Sequence, residues 1–121
     1  WRLAPEGDLN GFFECLEDAG VSLVSAHRGG PGQGLPENAV ETFEATLAAA
    51  PALIEADVAT SSDGVLFLHH DDTLDRTTSG AGSAGETPWA TIRNLRLRDP
   101  DGALTPYAPP AFADVLAALK D

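Results

Sequence analysis

The sequence predicts an α/β domain in which the strands run parallel. Short apolar runs, typical of buried strands, alternate with stretches whose apolar residues recur at helical spacing, and this alternation indicates strand–helix–strand units. No repeat, interdomain linker or low-complexity tract divides the 121 residues, a length that suits one domain with its own core. Because chemistry in such folds collects beyond the carboxyl ends of the strands, the residues that end each strand are the first candidates for a site.

The N-terminal part is expected to hold one helix and one strand. Apolar residues at helical spacing predict a helix over residues 9–19, with Asp8 as its N-cap and Gly20 at its end. The β-branched run at residues 21–26 predicts a short buried strand. The loop over residues 27–38 contains four glycines and two prolines, so little side chain fills the space beyond this strand.

A second helix and two further strands follow the loop. Apolar positions on one stripe predict a helix over residues 37–49, which Pro51 ends. Residues 53–59 predict a second strand and residues 65–69 a third. The Ser-Ser-Asp-Gly sequence at residues 61–64 predicts the turn between them.

The rest of the chain is predicted to be mostly loop. The polar residues 71–88 and the proline-rich residues 99–110 lack a strand or helix period. Residues 87–90 begin a short helix between these loops, with Ile92 on its inner side. Residues 111–120 predict a final helix.

The composition narrows the classes of partner. The chain has 19 acidic and 7 basic residues, and its formal net charge of −12 argues against nucleic acid or an anionic membrane as the main partner. Most of this charge is expected to form a solubilising surface, and it is compatible with a cation site. The single cysteine, Cys15, excludes an internal disulfide and a cysteine metal cluster. No apolar run reaches membrane-spanning length.

Glu55 and Asp57 are candidate metal ligands. Residues i and i+2 of a strand point to one face, so the predicted strand places both carboxylates together. Apolar neighbours such as Leu53 and Val58 favour a buried strand, in which two acids lose hydration and repel each other unless a cation compensates. A divalent ion with oxygen ligands is the natural candidate. The alternative is an edge strand whose acids face water.

His70 follows the third predicted strand. If this strand returns as a hairpin, a four-residue loop places Glu55 opposite His70, and a two-residue loop places Asp57 there. If the strands are parallel, their ends still converge. His69 points to the opposite face, and we interpret it as a structural or outward-facing histidine.

His27 and Arg28 end the first predicted strand beside the glycine-rich loop. Arginine is always charged and its guanidinium forks onto phosphate oxygens. Glycines let backbone amides approach an anion closely, so this combination suits a phosphate held beside an acid/base group. Glu37 opens the following predicted helix, where an acid is stabilised by the helix dipole in any protein.

Several motifs, in their order and spacing, resemble those of glycerophosphodiester phosphodiesterases. The resemblance covers about residues 22 to 121 and rests on the segments HRGGPGQGLPEN, IEADV, DGVLFLHHDDTLDRTTSGAG and LTPYAPPAFADVLAALKD. Each motif alone would be weak, but the agreement of several is specific. The chain departs from the family where His69 precedes His70 in place of an apolar residue.

This resemblance implies the N-terminal strands and helices of a partial TIM-type (β/α) barrel, spanning residues 1–121. It implies metal-dependent hydrolysis of a small glycerophosphodiester to an alcohol and sn-glycerol 3-phosphate. It also assigns site residues by motif: His27 and His70 as catalytic acid and base, Arg28 on the substrate phosphate, Glu55 and Asp57 on a divalent Mg or Ca ion, and Glu37 in a supporting role.

The length of the chain raises a further expectation. A closed eight-stranded barrel needs at least about 200 residues. We therefore expect the N-terminal part of a longer enzyme, or one chain of a split barrel completed by a second chain, with inactivity of the isolated 121 residues left as an open alternative. The absence of an initiator methionine favours a periplasmic or secreted location over a cytoplasmic one.

Other functions on the same residues stay open. A phospholipase D-like or phosphoinositide phospholipase C-like enzyme of the same fold would also use a Glu-x-Asp pair and two histidines. A non-catalytic barrel fragment that acts as an assembly module is the alternative from a different class.

Overall fold

The computed structural model describes residues 8–119 of the chain. Its helices and strands, in chain order, are α1 (Leu9–Asp18), β1 (Val24–Ala26), α2 (Val40–Ala49), β2 (Ala52–Ile54), β3 (Val58–Thr60), β4 (Leu66–Leu68), α3 (Trp89–Ile92) and α4 (Phe112–Ala118). A 3₁₀ turn, His27–Gly29, follows β1. Within this described part of the chain, no helix has the length and apolar character needed to cross a bilayer.

The unit formed by β1, α2 and β2 confirms the predicted parallel strand–helix–strand arrangement. β1 and β2 pair in parallel, with Ser25 opposite Leu53. The pairing extends one residue further, where the Glu55 N–H donates to the Ala26 carbonyl at 3.1 Å. The carboxyl ends of both strands therefore meet at one edge, and Arg28 and Glu55 lie directly beyond it.

The prediction of a single strand over residues 53–59 is wrong, because the chain leaves the first sheet after Ile54. β2 pairs with β1, whereas β3 begins at Val58 and pairs antiparallel with β4 in a second sheet. Between the two strands, the Asp57 N–H donates to the side-chain oxygen of Asn38 at 3.0 Å. This side chain replaces a neighbouring strand at the break and satisfies the freed backbone donor.

The expected burial of the two acids is also wrong. Glu55 is exposed, and the side chain of Asp57 is 25% exposed. The flanking Leu53 and Val58 are 43% and 48% exposed. The carboxylates therefore keep part of their hydration, and the repulsion between them does not by itself demand a metal ion.

β3 and β4 form a hairpin whose register differs from both alternatives considered from the sequence. Ala59 lies opposite Phe67, and the His69 N–H donates to the carbonyl of Asp57 at 3.0 Å. The connecting loop has an odd number of residues, which shifts the pairing by one position relative to loops of even length. The prediction that an acid lies opposite His70 is therefore wrong.

The start of α2 also differs from the prediction of a helix from residue 37. α2 begins at Val40, because Asn38 has a positive φ of 56° and Ala39 is extended. Neither conformation can continue a helix. Glu37 therefore lies in a turn before the helix, and its interpretation as a helix-opening acid is wrong.

The remaining helices lie close to their predicted positions. The Asp8 carboxylate caps α1 by accepting hydrogen bonds from the N–H groups of Asn10 and Gly11 at 3.1 and 3.2 Å. Ile92 of α3 is buried, as expected. The helix predicted over residues 111–120 corresponds to α4, although its last residue lies outside the described part of the chain.

β4 contributes to two apolar cores. Phe67 and Leu68 are adjacent on the strand, so their side chains point to opposite faces, and they are 0% and 1% exposed. The cores hold Phe67 with Leu74, Ala84 and Ile92 on one face, and Leu68 with Phe43 and Val115 on the other. Because both faces of β4 are packed, the residues that follow it, His69 and His70, start from a fixed position.

Candidate active site

Arg28 is held in a tight turn at the end of β1. Its φ of 52° is left-handed, a conformation that costs a non-glycine residue about 1–2 kcal/mol. Gly29 packs so closely on Phe43 of α2 that an added Cβ would lie 2.2 Å from the ring. The Thr46 hydroxyl donates to the Gly29 carbonyl at 2.6 Å. These contacts anchor the turn to α2 and hold Arg28 in its strained conformation.

Arg28 joins the three acids that the sequence singled out. Its backbone N–H donates to Oε2 of Glu55 at 2.9 Å, and its Nη1 donates to Oε1 of Glu37 at 2.8 Å. Its Nε lies 3.4 Å from Oδ2 of Asp57, close enough for an ion pair but without a hydrogen bond. The structure therefore brings Glu37, Glu55 and Asp57 together around one guanidinium-bearing residue.

Asn38 connects the loop after β1 to the bend before β3. Its Nδ2 donates to Oδ2 of Asp57 at 3.0 Å, and its Oδ1 accepts the backbone N–H of Asp57 at 3.0 Å. The Asn38 N–H donates to the Arg28 carbonyl at 3.0 Å. Asn38 is only 3% exposed, so these bonds are shielded from water and fix Asp57 beside Arg28.

A second arginine, Arg76, extends the site to the residues after β4. Its Nη1 and Nη2 donate to the two carboxylate oxygens of Glu37, both at 2.9 Å. Its Nε and Nη2 donate to the two carboxylate oxygens of Asp71 at 2.6 and 2.8 Å. Arg76 thus forms a two-oxygen fork with each of two acids, the geometry that the planar guanidinium favours.

These contacts keep both acids ionised. Burial alone would raise the pKa of Glu37, but the hydrogen bonds from Arg76 and Arg28 outweigh it and lower that pKa below its usual value. The hydrogen bonds from Arg76 and then from His70 hold the pKa of Asp71 far below its usual value. The same two acids, Asp71 first, raise the pKa of Arg76 further above its usual value.

His70 is oriented by Asp71. Its Nδ1 lies 2.6 Å from Oδ1 of Asp71, and because this carboxylate is ionised, Nδ1 is the nitrogen that carries the proton. The side chain of His70 is 44% exposed. Its Nε2 atom is therefore the one available to accept or deliver a proton.

The other two histidines differ in their surroundings. His27 is exposed and adjoins Arg28, and within residues 8–119 no hydrogen bond to its side chain is formed. His69 is 4% exposed, its ring stacks on Phe67, and its Nε2 donates to the Thr73 carbonyl at 3.0 Å. These contacts agree with the interpretation of His69 as structural.

Glu55 and Asp57 supply oxygen atoms of the type that Mg and Ca bind. One oxygen of each carboxylate accepts a hydrogen bond, from Arg28 and Asn38 respectively, while its second oxygen has no such partner among the described residues. In the same part of the chain, no three His, Cys, Asp or Glu groups lie together as a metal-ion site. The donor chemistry of these two carboxylates fits a hard divalent ion.

A pocket of about 290 Å³ adjoins the arginine network. Glu37, Arg76 and Thr77 line it together with residues 98–102. The loop that holds residues 98–102 is bonded to the glycine-rich loop, because Asp99 accepts a hydrogen bond from the Gly34 N–H at 2.9 Å.

Three residues of this network were not predicted as site residues: Asn38, Asp71 and Arg76. Each lies in a motif already quoted for the resemblance, Asn38 in Pro-Glu-Asn and the other two in His-Asp-x-x-Leu-x-Arg. Asn38 and Arg76 contact acids 19 and 39 residues away in the chain, so no local period could have revealed those contacts. Within residues 8–119, the Asp71 carboxylate contacts only the nearby His70 and Arg76.

Comparison with known proteins is consistent with this site. The model of the glycerophosphoryl diester phosphodiesterase family matches residues 27–121. A glycerophosphodiester phosphodiesterase of Caldanaerobacter subterraneus subsp. tengcongensis is 38% identical over 74 residues, covering 61% of this chain and 30% of that protein. The chain spans between 25% and 42% of the length of three curated relatives that it matches.

Solved structures show the same similarity in three dimensions. The crystal structure of a glycerophosphoryl diester phosphodiesterase from Parabacteroides distasonis is 45% identical and has a TM-score of 0.77, covering 78% of this chain and 33% of that one. A phosphodiesterase from Oleispira antarctica, in complex with the product sn-glycerol-3-phosphate, is 26% identical with a TM-score of 0.70, covering 85% of this chain and 42% of that one. The fold is therefore a partial TIM-type barrel, as expected.

Proposed function

This chain belongs to the glycerophosphoryl diester phosphodiesterase family, and we propose that it hydrolyses small glycerophosphodiesters to an alcohol and sn-glycerol 3-phosphate. The observation that carries the proposal is the position of Arg28, which lies at the carboxyl edge of two parallel strands in contact with Glu37, Glu55 and Asp57. In this proposal the guanidinium is a permanent cation beside three carboxylates, His27 adjoins it in the chain, and His70 is connected to it through Asp71, Arg76 and Glu37. The product in the Oleispira antarctica structure supports the same substrate class.

Arg28 is the residue proposed to bind the substrate phosphate. Its Nη1 is held by Glu37, and the strained turn fixes its backbone, so the guanidinium is oriented before substrate arrives. Preorganised cations of this kind stabilise charge that develops on phosphoryl oxygens. The next residue, Gly30, is exposed and adds no side chain beside this turn.

His27 and His70 are the proposed acid and base. One imidazole takes the proton from the attacking hydroxyl, and the other delivers a proton to the leaving alkoxide. For His70 the transferring atom is Nε2, because Nδ1 is bonded to Asp71. The attacking group is either water or the glycerol 2-hydroxyl of the substrate.

Glu55 and Asp57 are the proposed ligands of a divalent ion, Mg or Ca. When bound, such an ion neutralises charge on the phosphoryl oxygens. The hydrogen bonds from Arg28 to Glu55 and from Asn38 to Asp57 fix which carboxylate oxygen faces the protein. The second oxygen of each acid, which accepts no hydrogen bond among the described residues, would hold the ion.

The activity test is release of sn-glycerol 3-phosphate from glycerophosphocholine by the natural protein that contains these residues and completes the barrel, with Mg or Ca and with a chelator. We expect metal-dependent release, which His27→Ala, His70→Ala or Arg28→Ala lowers by roughly 10²–10⁴-fold. Arg93→Ala is a matched control, since Arg93 is exposed at the end of α3. Phosphatidylcholine and a phosphoinositide serve as competing substrates, and preferential cleavage of either one, or no cleavage of glycerophosphocholine, would contradict the proposal.

The rest of the barrel is proposed to come from further residues of the same polypeptide or from a second chain. The chain spans less than half the length of three curated relatives that it matches. Apolar side chains on its short strands are also 43% to 58% exposed, namely Val24, Leu53, Val58 and Leu66. Intact mass of the natural protein, together with light scattering, tests this. An active monomer of 121 residues would contradict it.

A further inference from the structure

We propose that Arg76 is the positioning residue of this site, and that it aligns the phosphate-binding Arg28 with the acid/base atom of His70. This inference rests on the proposed function, which makes Arg28 and His70 act on the same substrate. The two residues follow strands of different sheets: Arg28 comes after β1, and His70 comes after β4. Arg76 is in direct contact with the hydrogen-bond partner of each one.

The first connection runs from Arg76 to His70. Arg76 binds both carboxylate oxygens of Asp71, which prevents the carboxylate from rotating away. The Oδ1 atom of Asp71 at the same time accepts the Nδ1–H of His70 at 2.6 Å. Arg76 thereby fixes the ring orientation and the tautomer of His70, and leaves Nε2 free for the reaction.

The second connection runs from Arg76 to Arg28. Both arginines donate to Oε1 of Glu37, at 2.9 and 2.8 Å, and Arg76 also binds its Oε2. The side chain of Glu37 is only 15% exposed and its pKa is lowered, so it stays charged between the two guanidinium groups. A displaced Arg76 would free Glu37, and with it the Nη1 atom of Arg28.

A positioning role for Arg76 is distinguished from a stabilising role by measuring turnover on folded protein. The side chain of Arg76 is 50% exposed, but its two-oxygen forks to Glu37 and Asp71 also stabilise the fold, so its loss should lower the unfolding temperature. Misplacement of reacting groups by about 1 Å lowers turnover roughly 100-fold in protein that is still folded. A residue with a purely structural role would lower the unfolding temperature and leave kcat of the folded protein unchanged.

Lysine is the informative replacement at this position. It keeps the positive charge, but a single ammonium group cannot form two-oxygen forks with Glu37 and Asp71 at once. We expect Arg76→Lys and Arg76→Ala each to lower kcat for glycerophosphocholine roughly 100-fold, measured at a temperature at which thermal unfolding shows each variant to be folded. Arg93→Ala, outside the site, should leave kcat unchanged. Wild-type kcat in Arg76→Lys would overturn the proposal.

A second readout does not depend on turnover. Nitrogen-15 chemical shifts of the histidine rings, measured on this protein above neutral pH, distinguish the two tautomers. We expect His70 to carry its proton on Nδ1, and Arg76→Ala and Arg76→Lys to give a mixture of tautomers while the His69 signals stay unchanged. If both variants leave His70 in the Nδ1–H form, the proposal is wrong.

The two readouts separate this proposal from the function itself. If the unaltered protein does not cleave glycerophosphodiesters, the proposed function fails, yet the tautomer of His70 in the Arg76 variants still decides whether Arg76 orients it. If the protein is active and the variants change neither kcat nor the tautomer, only the positioning role is overturned.

Discussion

At the scale of single residues, the site depends on two non-glycine residues with positive φ, Arg28 at 52° and Asn38 at 56°. A hydrogen bond from the Asn38 N–H to the Arg28 carbonyl joins them directly. Left-handed backbone is unfavourable for most side chains, and residues that adopt it often lie at functional sites. Here the conformation of each residue turns its side chain toward Asp57.

Asn38→Asp is the sharpest test of this pair. The change replaces the Nδ2 donor with an oxygen at 3.0 Å from Oδ2 of Asp57, so a buried hydrogen bond becomes a contact between two acceptors. We expect a loss of about 1–3 kcal/mol in the free energy of unfolding, measured with urea near neutral pH. Asn94→Asp is the control, since Asn94 is exposed. An equal loss in both variants would contradict the role of Asn38.

The Asp71 carboxylate predicts a pH dependence of stability. Its pKa in the folded protein lies below the usual 3.8, mainly because Arg76 and then His70 bind its charged form. A lowered folded pKa contributes stability that is present above the unfolded pKa and is lost as pH falls through the folded pKa. The difference in unfolding free energy between wild type and Asp71→Asn should thus be largest above about pH 4 and shrink at lower pH. A difference that stays constant down to pH 2 would contradict this linkage.

Most of the proposed site residues could be predicted from the sequence, but few of the hydrogen bonds and ion pairs between them could. Glu55 and Asp57 were recognisable because two acids beside apolar residues are uncommon, and Arg28 because it precedes a glycine-rich loop. The contacts that hold the acids of the site could not be predicted, because Asn38 and Asp57 are 19 residues apart and Arg76 and Glu37 are 39 apart. Such a contact depends on tertiary structure, which a local sequence pattern does not encode.

At the scale of elements, the turn after β1 is attached to α2 through Gly29. A Cβ on this residue would lie 2.2 Å from Phe43 Cδ1 and 2.4 Å from its Cε1. The φ of Gly29, 87°, is also unfavourable for any other residue. Two independent penalties therefore coincide at this position.

Gly29→Ala should destabilise the protein more than the backbone penalty alone. We expect about 1–3 kcal/mol from the steric overlap, in addition to about 1–2 kcal/mol for left-handed φ. Gly64→Ala is the matched control, because Gly64 has φ of 85° and no atom within 4 Å of its added Cβ. Urea unfolding of both variants gives the comparison. Equal losses would show that Phe43 yields to the new methyl group.

The strand predicted over residues 53–59 shows where element prediction failed. A continuous apolar run with β-branched ends is typical of one strand, yet the chain divides it between two sheets. The cause is a side chain from elsewhere, since Asn38 satisfies the backbone of Asp57 at the break. The helix before it was predicted three residues too early for a related reason, the positive φ of the same Asn38.

At the scale of the whole molecule, β4 couples the two apolar cores. Phe67 and Leu68 belong to different cores on opposite faces of β4. Loss of either core therefore exposes one apolar face of the strand and removes support from the strand on which the other core packs. Phe67→Ala should cost about 3–5 kcal/mol and Leu68→Ala about 2–5 kcal/mol of unfolding free energy. We expect one unfolding transition in both variants, followed by circular dichroism and, with Trp1 replaced by Phe, by the fluorescence of Trp89. Separate transitions by the two probes would show that the cores unfold independently.

The packing of both faces of β4 also determines how the backbone opens. The N–H groups of Leu68 and His69 donate to the carbonyls of Pro110 and Asp57, so the strand is bonded to two different segments. Exchange of these amide protons with solvent deuterium should require global unfolding and be the slowest in the chain. α1, which contains no buried residue, should exchange through local fraying instead. His70, two residues after β4, is thus attached to the last part of the molecule to open, while its own ring is half-exposed to solvent.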